Sequence, residues 1–216
     1  EIASLKSSFL FKNNNYVSLF FKKYYDNIVL NNLSKYNQPQ NNQLELPSKY
    51  FFLPLQLVDD TVNKLCEHST ENLLKKFLNL FSKSHENLII KRHPKCKSKI
   101  ITNILNNIDV KNILVLDGSI HDLISKCSAV LVNNSGVGFE SLFHLKPVYI
   151  FGRSDYQIVC RNILLDDFKV SNVTPLKEDE IIKIKVFIFN VLNGYIINTD
   201  DKTSFLKAFQ RIGLIN

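Results

Sequence analysis

The sequence contains no methionine and no tryptophan, and only six glycines, six prolines and four cysteines in 216 residues. Each scarcity excludes something. Cys66, Cys96, Cys127 and Cys160 lie about thirty residues apart and form no Cys-x-x-Cys pair, which argues against a zinc site. They read as free, buried thiols of a reducing cytoplasm. No run of about 18 apolar residues occurs, so no segment can cross a bilayer as a helix. No secretory leader pattern opens the chain, and Glu1 in place of an initiator Met suggests a chain cut from something longer. No Walker loop and no complete dinucleotide fingerprint is present.

What is there can fold. The chain is 45% hydrophobic and 11% aromatic, enough for a core and against disorder. Asn, Lys, Ile and Leu dominate, as in AT-rich bacterial genomes. The formal net charge of +7 attracts anions, phosphorylated ligands or an anionic membrane face. The basic residues are scattered and match no DNA- or RNA-reading motif, so a nucleic-acid partner is not expected.

Residues 1–49 differ in composition from the rest. The stretch 16–34 predicts a helix and 35–49 a linker. From residue 50 short apolar runs alternate with helical spacing. FFLPL (51–55), NLIIK (87–91), NILVL (112–116), AVLV (129–132) and PVYIF (147–151) predict strands. Residues 69–83, with Leu73, Leu74, Phe77, Leu78 and Phe81 on one face, predict a helix capped by Ser69 or Thr70. Further helices are expected at 98–107, from Ser119, at 136–145, from Pro175 to about Gly194, and at 202–212. The alternation implies an α/β fold, a Rossmann-like parallel sheet with helices on both faces over residues 50–216. Such sheets bind ligands beyond the carboxyl ends of their strands.

Three loops stand there. PLQLVDD (54–60) brings Gln56 and the adjacent carboxylates Asp59 and Asp60 to the end of the first strand. KRHPKCKSK (91–99) sets His93 beside Pro94 among Lys91, Arg92, Lys95, Lys97 and Lys99. Pro94 biases His93 to an extended shape, and the cluster suits a phosphate. NNSGVGFES (133–141) turns through Asn133, Asn134, Ser135 and Gly136 into a helix N-terminus, where free N–H groups bind anions, and Glu140 lies one turn in. Each loop also has a plainer reading: a solvated helix start, a solvated basic loop, and a first-turn glutamate favoured by the helix dipole.

The loops in this order resemble the bacterial capsule polysaccharide biosynthesis family that includes the Kdo transferases. The pieces are SKYN (34–37), PLQLVDD, HS (68–69), KRHP (91–94), NNSGVGFESL (133–142), KPV (146–148) and GRSDY (152–156). The resemblance implies the C-terminal, donor-binding half of a GT-B glycosyltransferase, residues 1–49 being a remnant of an acceptor domain or a connection to it. It implies a CMP-activated sugar donor, CMP-Kdo foremost, held at its phosphate by His93-Pro94 and Ser135. Beside these, Lys91, Asn134 and Gly136 are taken for the nucleotide, Glu140 for the ribose, Gln56 for a ligand edge and Asp60 for the sugar carbon. Glycan or glycolipid acceptors and a peripheral place at the inner face of the bacterial inner membrane follow from the same resemblance. No cofactor and no metal are expected, since CMP leaves as a phosphate monoester. Sialyltransferases and CDP-glycerol-using teichoic-acid polymerases share these loops loosely; the PLQ-to-Asp spacing favours the Kdo branch. The chain departs from the family where Gly136 replaces a hydroxyl residue and where QIVCRNILL follows Tyr156. With only about fifty residues before the first strand, it looks like half an enzyme, so a non-catalytic nucleotide-binding or scaffold protein stands as the alternative.

Overall fold

The computed structural model describes residues 14–39, 44–64 and 66–195, together with 203, 204, 206 and 210. The chain divides into two compact units, Tyr24–Glu178 and a smaller one of Glu1–Lys23 with Asp179–Asn216.

The larger unit is built on short apolar strands. They are β1 (Tyr50–Pro54), β2 (Asn87–Lys91), β3 (Ile113–Val115), β4 (Ala129–Val132), β5 (Val148–Ile150) and β6 (Arg161–Asn162). All pairs are parallel and the order is β3-β2-β1-β4-β5-β6. Every residue of β1 and of β4 is buried, which explains why these strands are continuous apolar runs rather than alternating ones: both faces are covered. The order reverses between β1 and β4, which pair Phe51 with Ala129 and Phe52 with Val130. β1 runs in register with β2 from Tyr50–Asn87 to Pro54–Lys91, so the two strands end side by side. Pro54 closes its strand without an N–H to offer, and Leu55 resumes the ladder by donating to the Lys91 carbonyl at 2.9 Å.

The helices follow local chemistry. In order they are α1 (Asn14–Tyr25), α2 (Thr61–Lys64), α3 (Thr70–Ser82), α4 (Lys99–Asn106), α5 (Ile120–Ser125), α6 (Gly136–Phe143) and α7 (Glu178–Asn190). Ser69, Ser98, Ser119 and Ser135 cap α3, α4, α5 and α6 by accepting first-turn N–H groups. The predicted stripe of α3 faces the core through Leu73, Leu74, Phe77 and Phe81, with Leu78 half-buried.

Several elements differ from the sequence reading. The helix expected over 16–34 is α-helical only to Tyr25, then a π-helical turn over Asp26–Leu30. It stops because Asn32 takes φ 53, while Asn32 and Leu33 donate back to Val29 and Ile28 in a Schellman arrangement. The two-residue β6 was not expected, and the short α2 answers only to the plainer reading of the Asp59-Asp60 loop as a helix start; neither is long enough to carry a periodic signal. α7 begins at Glu178 rather than Pro175 and passes into a π-helical turn over Val191–Tyr195. The helix expected over 202–212 falls largely outside the described residues. In the smaller unit Val17, Val186 and Phe189 form a small cluster, with Phe20 and Tyr16 edge-on to Phe189 at 4.9 and 5.6 Å. Among the described residues no helix is long and apolar enough to cross a membrane. The four cysteines are free, but of the four only Cys127 is buried; Cys66, Cys96 and Cys160 are half-buried.

Candidate functional site

The carboxyl ends of β1, β2, β3 and β4 open into one cavity of about 240 Å³ in the larger unit. Its walls include Gln56, Asp60, Lys91, Arg92, His93, Pro94, Asp117, Ser135, Gly136 and Glu140. It lies where the strand order reverses, the place such sheets offer a ligand. Of the nine residues assigned to the donor from sequence, eight line it and Asn134 does not; of the other loop residues named, Arg92 lines it, whereas Asp59, Lys95, Lys97, Lys99 and Asn133 do not.

Asn134 stands behind the wall as a latch. Its Oδ1 accepts from Gln56 Nε2 at 2.6 Å and its N–H donates to Gln56 Oε1 at 3.1 Å. Both ends of the Gln56 amide are therefore engaged by one partner, and the pair ties the loop after β1 to the loop after β4. Asn133 deepens this framework by donating to Asn63 Oδ1 at 3.2 Å and to the His68 carbonyl at 2.7 Å. The His68-Ser69 pair thus acts through a carbonyl and a helix cap.

The two adjacent carboxylates separate. Asp60 faces the cavity, and its Oδ1 accepts the Val62 N–H at 3.0 Å, capping α2; Asp59 is exposed and outside the cavity wall. His93 is half-buried. Its Nδ1 accepts the Lys95 N–H at 3.2 Å, so the neutral ring carries its proton on Nε2. Burial holds the imidazole below its usual range; the nearby Asp60 opposes this, and Lys35 and Lys95 reinforce it. Lys91 is only 7% exposed, and its ammonium reaches Asp117 at the end of β3. Sequence reading missed Asp117, although its place directly after a strand was a usable signal. Arg92 bonds the Ser98 carbonyl at 3.3 Å, and its buried Nε has no partner.

The Ser135 turn is held from beneath. Ser135 Oγ accepts the Val137 N–H at 3.3 Å, which leaves its O–H free to donate. The Tyr156 hydroxyl donates to the Ser135 carbonyl. Gly138 sits directly over that ring: a Cβ there would meet Tyr156 ring carbons at 2.9 Å. The GVG and GRSDY pieces are therefore one device. Beside Gly136, by contrast, the space is open.

Glu140 is largely enclosed. Oε1 accepts from Ser34 Oγ at 3.1 Å, while Oε2 is buried without a hydrogen-bond partner. Burial pushes its carboxyl up to about 7, partly countered by the Ser34 bond. His121 Nε2 lies 3.9 Å from Oε2, and burial keeps that imidazole below its usual range, so the approach is a contact between a carboxyl and a neutral ring. Among the described residues no group of three or more His, Cys, Asp or Glu is arranged to hold a metal ion.

The chain resembles solved glycosyltransferase structures in fold. It spans 55% of the beta-Kdo 2,4 transferase of Thermosulfurimonas dismutans KpsC, superimposing over 80% of its own length with a TM-score of 0.51 at 17% identity. The beta-Kdo 2,7 transferase of the same protein aligns with 84% of this chain and 57% of its own at 21% identity, TM-score 0.49. The glycosyltransferase SnogD of Streptomyces nogalater aligns with 84% of this chain and 49% of its own at 9% identity, TM-score 0.49. At these identities the likeness is one of fold. No curated protein matches the sequence. Residues 11–175 match the family described as capsule polysaccharide biosynthesis protein, which takes in every strand and the whole cavity wall, and the chain belongs to that family.

Proposed function

We propose that this chain is the donor-binding part of a capsule glycosyltransferase and that its donor is a CMP-activated sugar, CMP-Kdo foremost. One observation carries the reading: the cationic and hydroxyl donors Lys91, His93 and Ser135 line the same cavity as the carboxylates of Asp60, Asp117 and Glu140, at the reversal of the strand order. His93 Nε2–H and the Lys91 ammonium take the phosphate, with the bound anion displacing Asp117 from Lys91. The Ser135 hydroxyl and the Gly136 N–H add donors at the α6 N-terminus. Glu140 accepts from ribose hydroxyls, Pro94 fixes the backbone at His93, and Gln56 and Asn134 hold the two loops together.

In the reaction the Asp60 carboxylate attacks the anomeric carbon. The bond from that carbon to the phosphate oxygen breaks, and its electron pair leaves with CMP towards fixed cations. An acceptor hydroxyl then displaces Asp60 and gives its proton to solvent. Residues 1–49 connect this donor domain, residues 50–216, to an acceptor domain. The acceptor is a glycan or glycolipid, presented at the cytoplasmic face of the inner membrane, with SLFFKKYY (18–25) suited to that interface. A second reading, nucleotide binding without transfer, is favoured by the Asp60 cap on α2, an ordinary structural duty.

Calorimetric titration with CMP, CDP, UMP and AMP tests the donor. CMP should bind most tightly, and His93→Ala should weaken it by about 1–3 kcal/mol, as for a hydrogen bond to a charged group. Equal affinity for all four would leave a phosphate site with no cytidine preference.

A further inference from the structure

The segment after the π-helical turn enters the cavity wall without entering the core. Ser34–Pro39 line the cavity, yet none of residues 26–39 is buried. Its fastenings are polar. Ser119 Oγ donates to Asn32 Oδ1, and His121 Nε2 donates to the Leu33 carbonyl at 2.7 Å. Ser34 Oγ donates to Glu140 at 3.1 Å, and the Ile120 N–H donates to Gln38 Oε1 at 2.9 Å. Gln38 Nε2 turns back to the Tyr36 carbonyl at 2.7 Å, so this one amide joins Tyr36 to the start of α5.

His121 is 4% exposed, and its tautomer follows from its partners. A carbonyl only accepts, so Nε2 carries the proton, and Nδ1 accepts from His144 Nε2 at 2.9 Å. The ring is thereby set to hold Leu33. Three residues on, Tyr36 stands edge-on to His93 at 5.2 Å, with the Lys95 ammonium 5.0 Å from its ring. A segment held by hydrogen bonds and no buried apolar side chain opens at lower free energy than the strands behind it.

We propose that residues 32–39 form a hydrogen-bonded closing wall of the cavity, fastened by His121, Gln38 and Ser34 as positioning residues, and that Tyr36 carries its position to His93. Fastened, the wall covers one side of the imidazole; released, it opens the phosphate end of the cavity. The bearing on donor binding rests on the nucleotide reading above; the fastening does not.

Ser34→Ala and Gln38→Ala each remove a fastening without touching His93, and they spare the buried His121. The rate at which diethyl pyrocarbonate acylates His93 is measured by mass spectrometry in the ligand-free chain, with exposed His85 as internal control. Loss of one hydrogen bond should raise the His93 rate about five-fold and leave His85 unchanged. Native His93 rates in both variants overturn the fastening. CMP titration of the same proteins reads the wall: both variants should bind about five-fold more weakly. Tyr36→Phe, which keeps the ring, should bind as the native chain does, and Tyr36→Ala should not. Native affinity in every variant overturns the wall's part in binding. A native chain that binds no CMP defeats the nucleotide reading instead, and the wall then stands or falls on the His93 rates.

Discussion

At the residue scale, neighbours of identical chemistry have different fates. Asp59 and Asp60 carry the same carboxylate, but only Asp60 lines the cavity. On the proposed mechanism, which sets its carboxylate against the sugar carbon and not the nucleotide, Asp60→Asn in the complete enzyme should abolish sugar transfer and leave CMP affinity within about three-fold. Asp59→Asn should keep substantial activity. Transfer surviving in Asp60→Asn and lost in Asp59→Asn would refute the assignment; small equal losses would favour binding without transfer. Glu140 gives a pH signature. Its carboxyl titrates near 7 in the fold against a usual 4.5. An acid raised in this way stabilises the fold fully below pH 4.5 and loses that contribution as pH rises through about 7. Glu140→Gln cannot ionise, so relative to native it should gain on the order of 1–3 kcal/mol in urea unfolding between pH 5 and pH 8. A native-minus-variant difference that stays flat across that range would show that Glu140 is not held protonated by burial.

At the element scale, the turn into α6 depends on a fit between two distant pieces. Gly138 leaves room for the Tyr156 ring, whose hydroxyl holds the Ser135 carbonyl. Gly138→Ala forces a buried ring to move and should cost about 1–3 kcal/mol in denaturant unfolding, the usual range for overpacking. It should also weaken CMP binding, because the Ser135 turn shifts with the ring. Tyr156→Phe removes the atom nearest the added methyl, so the double variant should be more stable than the sum of the two single losses predicts. Strict additivity would mean that the two residues do not meet. The same logic explains α1. The helix expected from sequence runs to residue 34, yet the α-helix yields to a π-helical turn and an Asn in left-handed geometry. That ending turns Leu33 and Ser34 towards α5 and α6, where His121 and Glu140 take them.

At the scale of the whole molecule, the site is made by long-range closure. Gln56 and Asn134 are 78 positions apart, and Ser34 and Glu140 are 106 apart. Parallel strand order brings them together, so the cavity exists only when the sheet is complete. The described residues hold one parallel sheet, whereas a GT-B cleft takes two domains, and the chain spans little more than half of the Kdo transferases it resembles. On the proposed division into donor and acceptor parts, the chain by itself should bind CMP, which raises its unfolding temperature, but transfer no sugar. Saturation at about 100 times Kd should add about 2.7 kcal/mol of stability. Robust transfer by these residues alone would overturn the division into donor and acceptor parts.

Elements whose signals are local can be read from the chain without its fold. The strands of β1, β2 and β4 show as short apolar runs, the stripe of α3 as 3.6-residue spacing, and the helix caps as hydroxyls at 69 or 70 and at 119 before helical runs. Each of these depends on side chains a few positions apart. The strand-end rule also brought His93, Lys91, Ser135 and Glu140 forward before any contact was known. Which strand lies beside which is known from the folded sheet alone. From that order came the Gln56–Asn134 latch, the pairing of Lys91 with Asp117, the need for glycine at 138, and the wall formed by residues 32–39. No local pattern encodes these, because each joins groups tens of residues apart, and their geometry is set by which strand ends the completed sheet places side by side.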